Sequence, residues 1–201
     1  MSCFKKFKSA LGIEIESPNY EILENLNNEV EIRKYPATKW VSAKMSLTMN
    51  KNEVTEDRKT MFRQLFRYIT GNNTDKKKIA MTSPVRMDYQ SKDDKTIVKN
   101  SSCEMSMGFY VPAELNDNTP MPMRENMCIQ EIPEMIVAVS QFSGYASIDD
   151  YMEHRDIILR SLGPEKAKNY DSVNLLTAGY DPPFKLCCRR NEVWLRKITL
   201  Y

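Results

Sequence analysis

One pattern occurs twice in this chain: strand-like alternation, then an amphipathic helical stretch, then extended segments stopped at proline. Val41, Ala43, Met45 and Leu47 alternate with Ser42, Lys44 and Ser46, the period of a half-buried strand. Val54 to Gly71 then reads as a helix. Asn52 or Thr55 can cap it, Glu56 and Asp57 fall in its first turn, and Gly71 stands just past its end. Its apolar stripe (Met61, Phe62, Leu65, Phe66, Tyr68, Ile69) is broader than a single core contact needs. Ile79 to Val85 reads as a strand stopped or bent at Pro84. In the second half, Met135 to Ser140 is a nearly continuous apolar run, as in a buried strand. Ser147 to Leu162 follows as a helix, with Ser147 as N-cap, Asp149 and Asp150 in the first turn, and Gly163-Pro164 to end it. Val173 to Tyr180 leads to Pro182-Pro183, and a last strand runs from Val193 to Ile198.

Further strands are read at Val30 to Ile32, with an edge, bulge or bend at Pro36, and at Met105 to Val111. Two such units predict an α+β domain with mixed or antiparallel sheets and two helices packed outside. One domain is favoured over two. Each half alone is near the lower size limit, and the turn-rich connection Asn116 to Pro122 is short.

Composition narrows the function. With 41% hydrophobic and 28% charged residues in 201, this is an ordinary globular chain. It has one histidine, His154, so a zinc site built on two or three histidines is impossible within it. Cys3, Cys103, Cys128, Cys187 and Cys188 contain no C-x-x-C spacing. Their odd number suggests free thiols in a reducing compartment, the cytosol or nucleus. Twenty-nine basic against 27 acidic residues leave no nucleic-acid footprint, and Lys76-Lys77-Lys78 reads as a solvated loop. No stretch has the length and apolarity of a membrane span. No acid–base pair, nucleophile–base pair or phosphate loop points to an enzyme. Residues 1–19 read as a tail before a domain over 20–201. Within the tail, Met1 to Gly12 carries three lysines, no acid, and Phe4, Phe7 and Leu11 at helical spacing. That stretch suits either contact with an anionic membrane surface or packing on the domain.

Several segments are more specific. Gly71-Asn72-Asn73 precedes Lys78-Ile79-Ala80-Met81-Thr82-Ser83-Pro84-Val85, and Phe142-Ser143-Gly144-Tyr145 follows later. Ala178-Gly179-Tyr180-Asp181-Pro182-Pro183-Phe184 and Arg189-Arg190-Asn191-Glu192-Val193-Trp194-Leu195 close the chain. Tyr20-Glu21-Ile22-Leu23, Glu31-Ile32-Arg33-Lys34-Tyr35 and Lys39-Trp40-Val41 extend the set toward the N-terminus. In order and spacing, roughly over residues 20 to 199, these resemble the SOUL family of haem-binding proteins. The resemblance implies a distorted β-barrel built from two pseudo-symmetric β-α-β-β repeats and flanked by two helices. The fold is also similar to effector-binding domains of bacterial multidrug-responsive regulators. The implied activity is reversible, non-catalytic binding of haem and related porphyrins. The protein would then be a cytoplasmic carrier or buffer.

Haem needs flat apolar walls, conformable side chains and cations for its two propionates. The first helix offers Met61, Phe62, Leu65, Phe66 and Ile69 as walls, and Lys59, Arg63 and Arg67, four apart, as cations. The family resemblance points to the same helix. Tyr180 could line the groove, or its turn could be purely structural. One branch of the family carries an iron-ligating histidine in the E-I-R-x-Y segment, where this chain has Lys34. His154 lies outside that motif. Haem without a histidine axial ligand is therefore expected, with Lys34 and His154 only weak metal candidates. Cysteine, methionine or tyrosine can also hold haem iron, and no spacing selects one. The competing reading is a protein-interaction factor in mitochondrial or cell-death pathways, acting through Ile157 to Pro164. There Pro164 stands where an acidic residue would be wanted.

Overall fold

The computed structural model describes residues 15–182 and 185–198. The Met1 to Gly12 segment and Cys3 lie outside them. Strands β1 (Glu21–Asn25), β2 (Val30–Tyr35) and β3 (Thr38–Thr48) lead into helix α1 (Lys51–Ile69). Next come β4 (Val85–Ser91), β5 (Ser102–Tyr110), a 3-10 turn at Ala113–Asn118, β6 (Met127–Ile132) and β7 (Met135–Phe142). Helix α2 (Ile148–Ala167), β8 (Leu175–Gly179) and β9 (Asn191–Arg196) complete the chain.

The nine strands form one sheet in the order β1-β2-β7-β9-β8-β4-β5-β3-β6, antiparallel throughout. The ladder has two ends, β1 and β6, and no pairing among the described residues joins them. Among the described residues the sheet is open, where a distorted β-barrel was expected. Closure would require β1 to bury a face, and all five of its residues are exposed. The α+β class holds: α1 lies on β3 and β5, and α2 on β7, β9 and β2. A continuous core from Val30 to Leu195 fills the space between helices and sheet.

The opposite face is also buried. Tyr35, Val137, Val139, Leu176, Ala178, Tyr180 and Trp194 form a second cluster to which neither helix contributes.

Several boundaries differ from the sequence expectation. Helix α1 starts at Lys51, two residues past the end of β3, with the Val54 amide donating to the Asn50 carbonyl at 3.1 Å. Asn52 and Thr55 therefore lie inside the helix, past the N-cap position. Ser147 does cap α2 through a reciprocal capping box with Asp150. Gly163, at φ +71°, breaks the helix as expected, and Pro164 starts one more helical stretch. Ile79 to Ser83 is not a strand. The strand begins only after Pro84, which cannot donate to a ladder. Strands β1 and β6 are additional to the sequence reading.

Candidate functional site

Helix α1 carries two apolar arcs. Met61, Leu65, Tyr68 and Ile69 are 0 to 5% exposed and belong to the core. Met61, Leu65 and Ile69 therefore hold the helix on the sheet and present no surface to a ligand. Phe62 is half-buried, edge-on to Phe109 with ring centroids 5.3 Å apart. Phe66 stacks on Phe62 (6.1 Å, 14° between planes) and is 47% exposed. Lys59, Arg63 and Arg67 are all exposed. Lys59 pairs with Glu56 at 2.7 Å, leaving Arg63 and Arg67 as the cations nearest the Phe62–Phe66 pair along the helix.

The outward arc runs into a built loop. Gly71 takes φ +113°, a conformation that suits glycine. Its amide donates to the Tyr68 carbonyl (3.2 Å), and that of Asn72 to Arg67 (2.9 Å), a Schellman end. Asn73 is 1% exposed. Its Nδ2 donates to the Tyr68 and Lys77 carbonyls, and its Oδ1 accepts from the Lys77 amide. The Tyr68 hydroxyl donates to the Pro120 carbonyl at 2.6 Å. The Thr74 amide donates to Met121 O, and the Met121 amide to Thr74 Oγ1. These bonds clasp residues 70–78 to 119–123. Beside them lies an open depression of about 700 Å³, lined by Thr70, Gly71, Thr74, Lys76, Lys78 and Met123. Met123 is 66% exposed. Lys76, Lys78 and Met123, which line this depression, are not among the residues the sequence singled out for a site. The Gly71-Asn72-Asn73 signature was the signal for a fixed loop there.

The remaining candidates lie elsewhere. Tyr180 is 9% exposed, and its hydroxyl donates to Glu192 Oε2 at 2.9 Å. Glu192 is fully buried and also accepts from Arg33, Arg190 and Trp194. Burial, with Glu192 beside it, pushes the Tyr180 hydroxyl well above its ordinary pKa. Tyr180 thus belongs to an interior polar cluster on the helix-free face. Lys34, on β2, pairs with Glu134 at 2.9 Å. His154, on α2, bonds through Nδ1 to Ser140 Oγ (2.8 Å) and stacks on Phe142 at 4.1 Å. Burial holds its pKa below 6.5. Neither residue shares an element with the α1 surface. In Ile157 to Pro164, Ile158 and Leu162 are core residues.

Among the described residues no three or more His, Cys, Asp or Glu side chains group as a metal site, and the four described cysteines are free. No described helix is long and apolar enough to cross a membrane.

Comparison with known proteins agrees with the motif reading. The family model described as SOUL heme-binding protein matches residues 15–196. Heme-binding protein 2 of Homo sapiens is 32% identical over 191 residues, covering 94% of this chain and 89% of that one. Heme-binding protein 1 of Xenopus laevis is 29% identical over 167 residues, 83% of each chain. Among solved structures, the C-terminal domain of EcmrR superposes with TM-score 0.55 at 11% identity, over 89% of this chain and 99% of that one. A hydrolase from Listeria innocua gives TM-score 0.55 at 9% identity, over 96% and 97%. At such identities these two structures show a shared fold alone. The matched model spans nearly the whole domain, and the chain belongs to the SOUL heme-binding protein family.

Proposed function

We propose that this chain reversibly binds haem or a related porphyrin, without transforming it, on the outer surface of α1 and the depression at its C-terminal end. The Phe62–Phe66 ring pair is the observation that carries this reading. It is a flat apolar surface, half open to solvent, with Arg63 and Arg67 beside it on the helix and a concavity one turn further on. The residues present fit the group: apolar rings for the macrocycle and cations for the propionates. The names of the relatives support a binding role, and an intracellular carrier or buffer accords with it. The core positions of Ile158 and Leu162 disfavour the interaction-factor alternative.

The strand order supports the repeat reading as well. β3-α1-β4-β5 and β7-α2-β8-β9 are two β-α-β-β units with matching pairings. In each, the first and second strands both pair with the third. They join at β4–β8, and each receives the strand preceding the other unit: β6 on β3, β2 on β7.

The test is titration of the purified full chain with haemin. A saturable one-to-one Soret shift is expected, and Phe66→Glu should raise Kd by about tenfold or more with an unchanged melting temperature. A shift no larger than that given by a non-binding control protein would refute the proposal.

A further inference from the structure

We infer that Cys187 and Cys188 bind one monovalent copper ion through their two thiolates. The site lies in the loop between β8 and β9, outside the proposed haem surface, and does not depend on the haem-binding reading. Both cysteines are free and exposed. Cys103, by contrast, is buried, and burial pushes its thiol up to about 11, as in an inert cysteine. Adjacent cysteines close poorly on each other. Consecutive Cα atoms stand about 3.8 Å apart across a trans peptide, whereas disulfides span about 4.4–6.8 Å. An ion held between the sulfurs lengthens the bridge by one more bond and relieves that mismatch. Nor is the chain extended here, where neighbouring side chains would take opposite faces: Cys188 has φ +51°.

The number of ligands selects the ion. Thiolates favour monovalent copper, zinc and iron–sulfur clusters. Zinc and the clusters take about three or four protein ligands, and no such group of His, Cys, Asp or Glu exists among the described residues. Monovalent copper is satisfied by two thiolates. Binding releases both thiol protons, changes no oxidation state, and leaves a centre with one negative charge. The loop carries a cation to match it. Lys185 is paired with Asp181, and Arg190 with Glu192. Arg189 has only uncharged partners among the described residues. It donates to the carbonyls of Pro182 (2.8 Å), Asp181 (3.3 Å) and Lys185 (3.4 Å), and lies over the Tyr145 ring at 4.7 Å. Its buried Nε has no partner at all. The loop is also held in place, since the Arg190 amide donates to Asp181 Oδ2 at 2.7 Å and Lys185 Nζ to the Cys188 carbonyl at 2.8 Å. An anionic centre on the residues just before Arg189 supplies its missing counter-charge.

The experiment titrates the full chain anaerobically with monovalent copper against bicinchoninate, a chelator whose copper complex is coloured. Wild type should withdraw one equivalent per monomer, release two protons, and show only sulfur neighbours in the X-ray absorption spectrum of the copper. Cys187→Ser and Cys188→Ser should each raise Kd by about tenfold or more, while Cys3→Ser and Cys128→Ser bind as wild type does. Arg189→Gln should raise Kd by about threefold, and Arg189→Lys, which keeps the charge, should restore it. Wild-type affinity in Cys187→Ser or in Cys188→Ser would overturn the site. So would copper held only by dimers, copper lost in Cys3→Ser or Cys128→Ser, or no copper withdrawn by wild type. Unchanged affinity in Arg189→Gln would overturn the part given to its charge. Haemin titration of the same samples is read separately, and its outcome bears on the haem reading alone.

Discussion

Glu192 has no solvent contact, yet two guanidiniums and two ring donors surround it. Burial alone would raise its pKa. Arg33 and Arg190, with hydrogen bonds from Arg190 and Trp194, hold it below the ordinary 4.5. Removing the charge leaves Arg190 and part of Arg33 uncompensated, and breaking such buried pairs costs about 3–5 kcal/mol. Glu192→Gln should lower the urea midpoint accordingly. The sign of the pH effect follows from linkage. The depressed carboxylate stabilises the fold fully above 4.5, and that share is lost as pH falls through the folded-state pKa. Wild type should therefore lose stability faster than Glu192→Gln on acidification below 4.5, and equal acid slopes would contradict the cluster's role. His154 obeys the same sign. Its depressed pKa means stability is complete above 6.5 and declines below. Its imidazole should titrate with an NMR midpoint under 6.5, and His154→Ala should leave the haemin spectrum unchanged. A midpoint at or above 6.5 would show that Glu153, Asp150 and Glu29 outweigh burial at the ring.

Along α1 the sequence revealed an apolar stripe but not its division. Positions 61, 65, 68 and 69 form one arc and 62 and 66 its neighbour. Periodicity sums the two when all six residues are apolar. What separates them is the sheet beneath, invisible without the partner strands. A chemical consequence distinguishes the arcs. Leu65→Ala removes a fully buried side chain and should cost about 2–5 kcal/mol. Phe66→Ala, half exposed, should cost far less and act on porphyrin binding. Equal losses of stability would contradict the division. The ends of elements were legible where local chemistry decides them: Ser147 with Asp150, Gly71 past the last turn, Gly163 before Pro164. Gly71→Ala would force a side chain into φ +113°, with its Cβ 3.4 Å from the Lys76 carbonyl. It should destabilise by about 1–2 kcal/mol, read by thermal unfolding. Strand β1 escaped notice because Ile22 and Leu23 are adjacent and both exposed, so no alternation marks it. Lys76 and Lys78 escaped because a lysine run resembles any solvated loop until the clasp to Met121 and Pro122 gives it a concave wall.

At the scale of the whole molecule, the two halves share the main core. The helix-side core draws Met61 from α1 and Ile158 from α2 into one cluster. The β4–β8 ladder sews the halves together through five residue pairs, from Val85–Gly179 to Tyr89–Leu175. Arg58 reaches from α1 to the Tyr89 hydroxyl on β4 and lies 5.2 Å from the Tyr151 ring on α2. Neither half keeps its buried face if the other leaves, so unfolding should be a single cooperative event. The two tryptophans report on this separately. Trp40 on β3 and Trp194 on β9 are each 1% exposed, one in each half. In Trp194→Phe the remaining fluorescence comes from the first half, and in Trp40→Phe from the second. Each substitution lowers the midpoint, since the indoles donate to Thr38 and Glu192 respectively, so the comparison is made within each variant. In both, the fluorescence transition in urea should coincide with the far-ultraviolet circular dichroism transition. A fluorescence midpoint displaced from the dichroism midpoint in either variant would mean that the halves unfold as separate units, joined by a seam weaker than their own packing.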